Sequence, residues 1–273
     1  MAIHKRAKIS GDVLKELWPG QSVALLKALH ILTRDGALNA DSRRKLKQVL
    51  HLVQLLQPSL DAIFAAKERP VLADLGAGKS YLAFILYDLV FGPKGRGEIF
   101  AVEARPELMT AARELAALAH FDRMHFIAAP IADAEIDRQV DMVTALHACD
   151  TATDDAIKFA LKHEARHIAL VPCCQAELAQ LLSGTGNHEL HQLWRHPIQR
   201  RGFASHLTNV IRGLYLEAHG YKVRVTELVG FEHSMKNELI VAERHQLSNA
   251  QARGELNALL RRLPTRPALV SDI

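Results

Sequence analysis

The sequence lacks the features that mark disulfide-rich proteins, H-E-x-x-H metalloproteases and membrane or secreted proteins. It has three cysteines in 273 residues, two of them adjacent, so no disulfide framework is expected and a reducing cytoplasm is the simplest setting. No H-E-x-x-H run occurs among its fifteen histidines. No apolar run reaches membrane-spanning length, and the N-terminus lacks the apolar core of a signal peptide. We therefore expect a cytoplasmic protein with no membrane partner and no metal site.

Composition and charge set looser bounds. Hydrophobic residues make up 49% of the chain, enough to bury a substantial core. The length suits one large domain, or one domain with an added part. The formal net charge of +4 and the pI near 9.0 mildly favour an acidic partner such as RNA, although many proteins of this charge bind no nucleic acid.

The most informative stretch is VLADLGAGKS, which begins at Val71. Its apolar run leads through Asp74 into Gly76-x-Gly78, and a helical pattern follows from residue 79 to residue 90. A strand that enters glycines and then a helix brings backbone N–H groups to one point, where a nucleotide-like ligand can bind. The sequence therefore predicts a nucleotide-type site at this turn.

Three known patterns resemble this stretch, and each is weak alone. Gly78-Lys79-Ser80 matches the end of a phosphate-binding loop, but Ala73 stands where the first glycine is expected. A dinucleotide fingerprint requires a small third residue, and Tyr81 stands there. The pattern strand–Asp-x-Gly-x-Gly–helix is that of the S-adenosylmethionine loop in class I methyltransferases. The next strand of the chain distinguishes among the three.

That strand pattern, residues 98–103, ends at an acid, Glu103. An acid at that point can accept hydrogen bonds from both ribose hydroxyls of an adenosine ligand, whereas a phosphate-loop enzyme has no use for it. Asp74 would repel a triphosphate, but it suits a cationic sulfonium and an amino group. These two acids favour S-adenosylmethionine over ATP.

Strand and helix patterns alternate from Pro70 onward, which is typical of an α/β fold with a parallel sheet. Two final strand patterns, 221–229 and 237–243, predict an antiparallel hairpin. We divide the chain into an N-terminal helical region (1–68), a sheet domain (69–246) and a C-terminal helix and tail (247–273). In the N-terminal region, Asp41 or Ser42 is expected to cap a helix that Pro58 bends or divides.

The loop, the acid and the order of elements make residues 68–244 resemble class I S-adenosylmethionine-dependent methyltransferases. The resemblance implies a Rossmann-like seven-stranded sheet and S-adenosyl-L-methionine as cofactor. Asp74, Gly76 and Gly78 would hold the methionine part and Glu103 the ribose. Residues from Ala129 to Asp133 would flank the adenine, with Asp133 close to its amino group.

A narrower resemblance rests on His147-x-Cys149-x-x-x-Thr153-Asp154, followed by Pro172-Cys-Cys174. It is similar to a methyltransferase-like group that includes the glutathione S-transferase C-terminal-domain-containing protein and the methyltransferase-like-twenty-five type. It also resembles a tRNA ribose methyltransferase group. This likeness implies that His147 and Asp150 border the methyl group and its acceptor.

The catalytic candidates are His147, Asp150, Cys173 and His233. The two histidines are candidate general bases. Cys173 or Cys174 could be a nucleophile, a zinc ligand together with His188 and His191, or part of a small-residue turn. The Thr151-x-x-Asp154 spacing also fits a helix cap, which would leave Asp154 and Asp150 only structural. The sequence leaves these alternatives open.

Two basic stretches favour RNA as the substrate, as rRNA or tRNA. Residues 194–206 predict a recognition loop, with arginines for phosphates, Trp194 and Phe203 for bases, and a following helix lining the substrate pocket. The candidate substrate residues are Arg195, Arg200, Arg201, Phe203, Asn209 and Arg212. The second stretch, 43–47, is more simply interpreted as a solvated face, with an RNA-facing patch as the alternative. The alternatives are a protein or small-molecule methyltransferase, a non-catalytic binding module and a phosphate-loop ATP-binding protein. No protein partner and no oligomeric state follow from the sequence.

Overall fold

The computed structural model describes residues 13, 15–146, 148, 150–172, 176–228 and 238–271. The chain folds as two compact units, one up to Arg138 and the other from Gln139. This boundary lies between the third and fourth strands, so it differs from the predicted division at residues 69 and 247. That predicted division separates added helices from a sheet domain, and it stays a prediction.

The described residues contain a seven-stranded, mostly parallel sheet, which confirms the predicted fold class. Its strands are β1 (Val71–Leu75), β2 (Glu98–Glu103), β3 (Met124–Ala128), β4 (Met142–Leu146), β5 (His167–Val171), β6 (Tyr221–Glu227) and β7 (Glu238–Arg244). The first unit has the order β3-β2-β1, all parallel. The second has β4-β5-β7-β6, in which β7 runs antiparallel to both neighbours. β1 and β5 are buried along their whole length, as expected of parallel strands.

The helices of the described residues follow the predicted alternation. They are α1 (Val23–Ala28), α2 (Ala40–Ala66), α3 (Tyr81–Leu86), α4 (Pro106–Ala119), α5 (Thr151–Lys162), α6 (Ala176–Ser183), α7 (Pro197–Ala218) and α8 (Ala250–Arg261). Three 3₁₀ turns also occur, at Ile131–Asp133, His191–Leu193 and Ala268–Val270. In the first unit α4 packs on β2 and β3, and in the second α5 packs on β4 and β5.

Helix α2 corrects two expectations. Its N-cap is Asn39, whose side chain accepts a hydrogen bond from the Ser42 N–H over 2.8 Å, so neither Asp41 nor Ser42 is the cap. Pro58 does not divide the helix, which runs unbroken through it. Both Pro58 and Gln54, whose carbonyl loses its helical partner, are at least partly exposed, so water can satisfy that carbonyl.

Among the described residues, α2 is also long and apolar enough to cross a membrane by length and composition alone. The expectation concerned continuous apolar runs, and polar residues interrupt this helix throughout. The indication is weak, because a core helix passes the same test, and 39% of the apolar window is buried inside the structure. Arg96 fixes the far end of α2, since its guanidinium donates to the carbonyls of Phe64, Lys67 and Glu68 over 2.8–3.1 Å.

The helix after β1 begins later than predicted and changes its winding. Ser80 has a left-handed backbone (φ 57°), so α3 starts at Tyr81. A π-helical turn, Tyr87–Phe91, and a last helical turn, Gly92–Lys94, follow α3. Pro93 has no N–H to donate to the fourth residue before it, and the Gly92 N–H bonds Tyr87 instead. A Cβ at Gly92 would lie 2.9 Å from that carbonyl, so only glycine fits there.

One buried histidine makes the fold sensitive to pH. His167 begins β5, is 2% exposed, and neither ring nitrogen has a hydrogen-bond partner within the described ranges. Burial lowers the pKa of His167, against the carboxylates of Glu243 and Asp141, which raise it. The unfolded chain therefore binds the proton more readily than the folded chain, and the fold loses stability as pH falls below about 6.5.

We expect His167→Leu to flatten the dependence of the unfolding free energy on pH. Wild type should lose stability between pH 7.5 and pH 5.5 more steeply than the variant, by up to about 1.4 kcal/mol per pH unit. Urea unfolding at several pH values measures both slopes. The same change at the exposed His245 controls for the loss of one histidine. Parallel curves for wild type and His167→Leu would contradict this account.

Candidate functional site

A tightly curled loop, residues 76–80, follows β1 and is called here the glycine loop. Gly76, Gly78 and Ser80 all have left-handed backbones, with φ of 66°, 57° and 57°. Glycine adopts this conformation without penalty, whereas Ser80 does so at a cost. The Ala77 N–H donates to the Val102 carbonyl of β2 over 2.9 Å, and the Ser80 N–H donates back to Ala77 over 2.7 Å. The loop is therefore folded against the end of β2.

The Glu103 carboxylate organises this loop. Its Oε2 accepts a hydrogen bond from the Gly78 N–H over 2.9 Å. Its Oε1 accepts from Arg105 twice, from the backbone N–H over 3.2 Å and from Nε over 2.8 Å. Burial acts to raise the pKa of Glu103, but the hydrogen bonds from Arg105 and Gly78 outweigh it and leave the pKa lowered. Glu103 is therefore a carboxylate, and not a carboxylic acid, at neutral pH.

Asp74 lies beside Glu103 on the sheet. It is 1% exposed, and Glu103 is 7% exposed. Asp74 pairs with Ala101 in the parallel register of β1 and β2, two residues before Glu103. Since side chains alternate along a strand, Asp74 and Glu103 point to the same face, with Cα atoms roughly 8 Å apart from a rise of ~3.3 Å per residue and a strand spacing of ~4.8 Å. The two acids thus lie on the same face of the sheet, near the carboxyl ends of β1 and β2.

The segment after β3 lies against the same strand end. The Ala129 N–H donates to the Glu103 carbonyl over 3.1 Å, which holds this segment beside β2. Asp133 ends the 3₁₀ turn and is exposed. The first unit therefore brings Ala129 beside the Glu103 backbone, while the predicted adenine contact of Asp133 stays a prediction.

This geometry disfavours the phosphate-loop interpretation. Such a loop needs free backbone N–H groups, but those of Ala77, Gly78 and Ser80 all donate to the chain itself. A carboxylate, that of Glu103, also occupies the Gly78 N–H that would face a phosphate. The exposed Lys79 is left without the backbone cradle that a triphosphate requires.

In the second unit, Asp150 lies between β4 and α5 in a strained backbone conformation (φ 52°, ψ −122°). For a residue other than glycine this conformation costs about 1–3 kcal/mol. Its side chain does not cap α5, which corrects the alternative that it is a simple cap. Instead, its Oδ1 accepts a hydrogen bond from the Glu177 N–H at the start of α6 over 3.0 Å.

Asp154 is also not a cap, contrary to the capping-box alternative. It is 3% exposed and forms an ion pair of 2.6 Å with Arg212, which is fully buried. Arg212 also donates to the Asn209 side chain over 3.2 Å, and Asn209 donates to Glu238 over 2.6 Å. Arg212 and Asn209, predicted to line a substrate pocket, are thus bonded within the protein, which leaves their direct contact with substrate without support.

The segment 194–206 is not a loop. Helix α7 begins at Pro197, a favoured first residue, so Arg200, Arg201 and Phe203 lie in its first turns. Trp194 is fully buried, which rules out the predicted stacking on bases; its Nε1 donates to Thr185 over 3.0 Å. Arg195 and Arg201 are exposed, and Arg200 is partly exposed.

His188 and His191 give no support to the zinc alternative. His188 Nδ1 accepts a hydrogen bond from the Leu190 N–H, and both rings pack near Trp194, at 5.4 Å and 6.4 Å between centroids. The described residues contain no cluster of histidine, cysteine and carboxylate side chains that could hold a metal. The candidates His147, Cys173 and His233 lie outside the described residues, as do Cys149 and Cys174, so their roles stay predictions.

Comparison with known proteins supplies the family. Residues 44–181 match the family model described as a methyltransferase domain. The chain belongs to this family. It is an S-adenosylmethionine-dependent methyltransferase, which confirms the predicted enzyme class and cofactor. The match includes β1 to β5 and also the greater part of α2.

None of the curated proteins matches the sequence. Similar solved structures include an rRNA methylase from Streptococcus thermophilus, with 8% identity, coverage of 71% of this chain and 96% of that one, and a TM-score of 0.47. Another is a magnesium protoporphyrin IX methyltransferase from Synechocystis PCC 6803, with 13% identity, coverage of 81% and 94%, and a TM-score of 0.47. A precorrin-6y C5,15-methyltransferase from Geobacter metallireducens has 17% identity, coverage of 71% and 88%, and a TM-score of 0.44. Likeness at these levels says nothing about the substrate of this methyltransferase.

The residues of the first unit fit S-adenosylmethionine. Two nearly buried carboxylates on one face suit a ligand with a cationic part and a pair of ribose hydroxyls. Three N–H donors reach Glu103, and a carboxylate can accept about four hydrogen bonds, so it retains capacity for a hydroxyl. The Arg105 side chain is 61% exposed, and so exposed an ion pair is weak enough to be displaced by a ribose hydroxyl.

Sequence reasoning missed three residues of these sites: Arg105, Glu177 and Glu238. Arg105 follows Glu103 by two positions, so the acid–x–Arg spacing was a signal that could have been used. Glu177 and Glu238 contact residues 27 and 29 positions away, for which the sequence carries no signal.

We expect Asp74→Ala and Glu103→Gln each to weaken S-adenosylhomocysteine binding by roughly tenfold or more, because each removes a charge-assisted acceptor worth about 1.5–3 kcal/mol. Isothermal titration measures this directly. Glu107→Gln, at an exposed carboxylate in the first turn of α4, and Lys79→Ala should bind as wild type does. Magnesium-dependent ATP binding that disappears in Lys79→Ala would instead revive the phosphate-loop interpretation.

Proposed function

We propose that this methyltransferase acts on RNA, as rRNA or tRNA. The observation that carries the proposal is the set of three arginines, Arg195, Arg200 and Arg201, at the start of α7. None of them forms an ion pair within the part of the chain that the structure describes, so their charge is available to phosphates.

Apolar side chains accompany these charges. Ile198 is 74% exposed and Leu193 50%, and Phe203 is partly exposed with its ring 5.3 Å from that of Trp194. Ile198 lies one helical turn from Arg201, so apolar and cationic groups share one surface. Single-stranded nucleic acid offers such a surface both phosphates and unstacked bases.

The other basic stretch, in α2, supports the proposal less. Arg43 pairs with Glu16 over 2.7 Å, and Arg44 lies 3.8 Å from Asp41. These contacts neutralise part of its charge, so the solvated-face interpretation is the better one there.

On the acceptor side, Asp150 is the candidate catalytic residue that the structure describes. It lies in the turn after β4, and the carboxyl ends of parallel strands border the ligand crevice in folds of this kind. The cofactor supplies an activated methyl group on its sulfonium sulfur. We infer that Asp150 orients the acceptor and that His147, with His233 second, removes its proton. Correct orientation can contribute about 7–11 kcal/mol.

We also propose that this protein is related to the methyltransferase-like-twenty-five type and the glutathione S-transferase C-terminal-domain-containing protein. The same proposal includes its likeness to tRNA ribose methyltransferases. It rests on His147, Cys149, Thr153 and Asp154. We also place the reaction in the cytoplasm, because the few cysteines suit a reducing compartment. Protein and small molecules are the alternative acceptors.

The joint replacement of Arg195, Arg200 and Arg201 by alanine should weaken RNA binding and slow methyl transfer to RNA. Loss of three phosphate contacts should reduce the slope of log affinity against log salt by about 2. The assay uses methyl-labelled S-adenosylmethionine with RNA from cells that lack the gene, and S-adenosylhomocysteine affinity should not change.

The control replaces Arg253, Arg261 and Arg262, exposed residues at α8, by alanine, which removes the same charge elsewhere. This control should bind and methylate RNA as wild type does. Label that appears in protein or small molecules and not in RNA would contradict the proposed substrate. Equal losses in both triple variants would show that only net charge matters.

A further inference from the structure

Among the described residues of the second unit, Arg212 is the most deeply buried charged side chain. It lies in the interior of α7 with 0% of its surface exposed. Its guanidinium bonds in three directions: Nε to Asp154 over 2.6 Å, Nη2 to the Asp150 carbonyl over 2.7 Å and Nη1 to Asn209 over 3.2 Å. These residues and Glu238, bonded through Asn209, are called here the Arg212 cluster.

Stability alone does not account for this cluster. Replacing a buried ion pair with well-packed apolar side chains is often neutral or stabilising, because both ions lose their hydration. Burial indeed raises the pKa of Asp154, against the opposing effect of Arg212. Because burying Arg212 costs free energy, its presence is better explained by the residues that it holds in place.

What Arg212 holds is the strained backbone of Asp150. The charged hydrogen bond to the Asp150 carbonyl fixes one side of this residue, and the Glu177 N–H fixes its carboxylate from the other side. Without such restraints, a residue with φ near 52° would relax toward an ordinary conformation. The direction of the Asp150 carboxylate therefore depends on Arg212.

The cluster also reaches the ends of the segments that carry the other candidates. Asp150 directly follows Cys149, and Glu177 lies two residues after 173–175. Glu238, which Asn209 holds over 2.6 Å, is the first residue after 229–237, where His233 lies. Arg212 thus bonds the Asp150 carbonyl directly and reaches Glu238 through Asn209.

We propose that Arg212 is a positioning residue for methyl transfer. It holds Asp150 in place directly and Glu238 through Asn209, and it touches neither cofactor nor acceptor. The inference rests on the proposed role of Asp150, but not on the acceptor being RNA. It requires a guanidinium, because three separate nitrogens of Arg212 bond Asp154, the Asp150 carbonyl and Asn209, whereas a lysine has one nitrogen. A lysine would keep the charge beside Asp154 and lose the other two contacts.

The test is Arg212→Lys, compared with Arg244→Lys, the same change at a partly exposed arginine that pairs with Glu164. In Arg212→Lys we expect the rate of methyl transfer to fall by up to about 100-fold, as for a misplaced group remote from the chemistry. The KM for acceptor and the affinity for S-adenosylhomocysteine should change less than about threefold, since cofactor residues lie in the first unit. Arg244→Lys should behave as wild type.

Amide hydrogen exchange gives a readout that needs no acceptor. Exchange at Glu177 should accelerate at least tenfold in Arg212→Lys, while exchange at Gly78 stays unchanged. If Arg212→Lys does not fold, Arg212→Met combined with Asp154→Leu removes both charges and should show the same two effects.

Unchanged Glu177 exchange, or a transfer rate equal to that of Arg244→Lys, would overturn the positioning role. A rate loss matched by an equal loss of S-adenosylhomocysteine binding would overturn it as well. If wild type labels protein or small molecules in place of RNA, the RNA proposal fails separately, and the two lysine variants are compared on that acceptor.

Discussion

The hydrogen bond between the Gly78 N–H and the Glu103 carboxylate is the contact on which the candidate cofactor site depends. It ties the loop after β1 to the end of β2, so that the curled glycine loop and the second acid form one unit. It also places negative charge where a phosphate-binding loop would need positive potential. The same contact therefore shapes the site for a ligand with hydroxyl and cationic groups and against a triphosphate.

In the second unit, neighbouring residues hold Asp150 in a backbone conformation that is unfavourable for a residue other than glycine. Asp150 is restrained from both sides, by Arg212 and by the Glu177 amide, at the cost of burying a full charge inside α7. The two units thus use carboxylates in opposite ways. Glu103 is stabilised as an ion by donors around it, whereas Asp150 is held by a network whose centre is another ion pair.

Much of this could be read from the sequence, and the exceptions have physical reasons. Strands such as β1 are short apolar runs bounded by turn residues, so the fold class was predictable, as were Asp74 and Glu103 near strand ends. The partners of Asp154 and Trp194 lie 58 and 9 residues away. A local pattern therefore suggested a cap for the first and an exposed base-stacking ring for the second. The basic and aromatic residues of 194–206 and their lack of periodicity suggested a loop, although Pro197 was a sound signal for a helix.

A crystal structure with S-adenosylhomocysteine bound would test the role of Glu103 more directly than any other measurement. We expect both ribose hydroxyls to lie within about 2.6–3.2 Å of the Glu103 carboxylate, with the Gly78 bond kept and the Arg105 side chain displaced or shared. A structure in which Glu103 kept all its present partners and the ribose bound elsewhere would contradict this role.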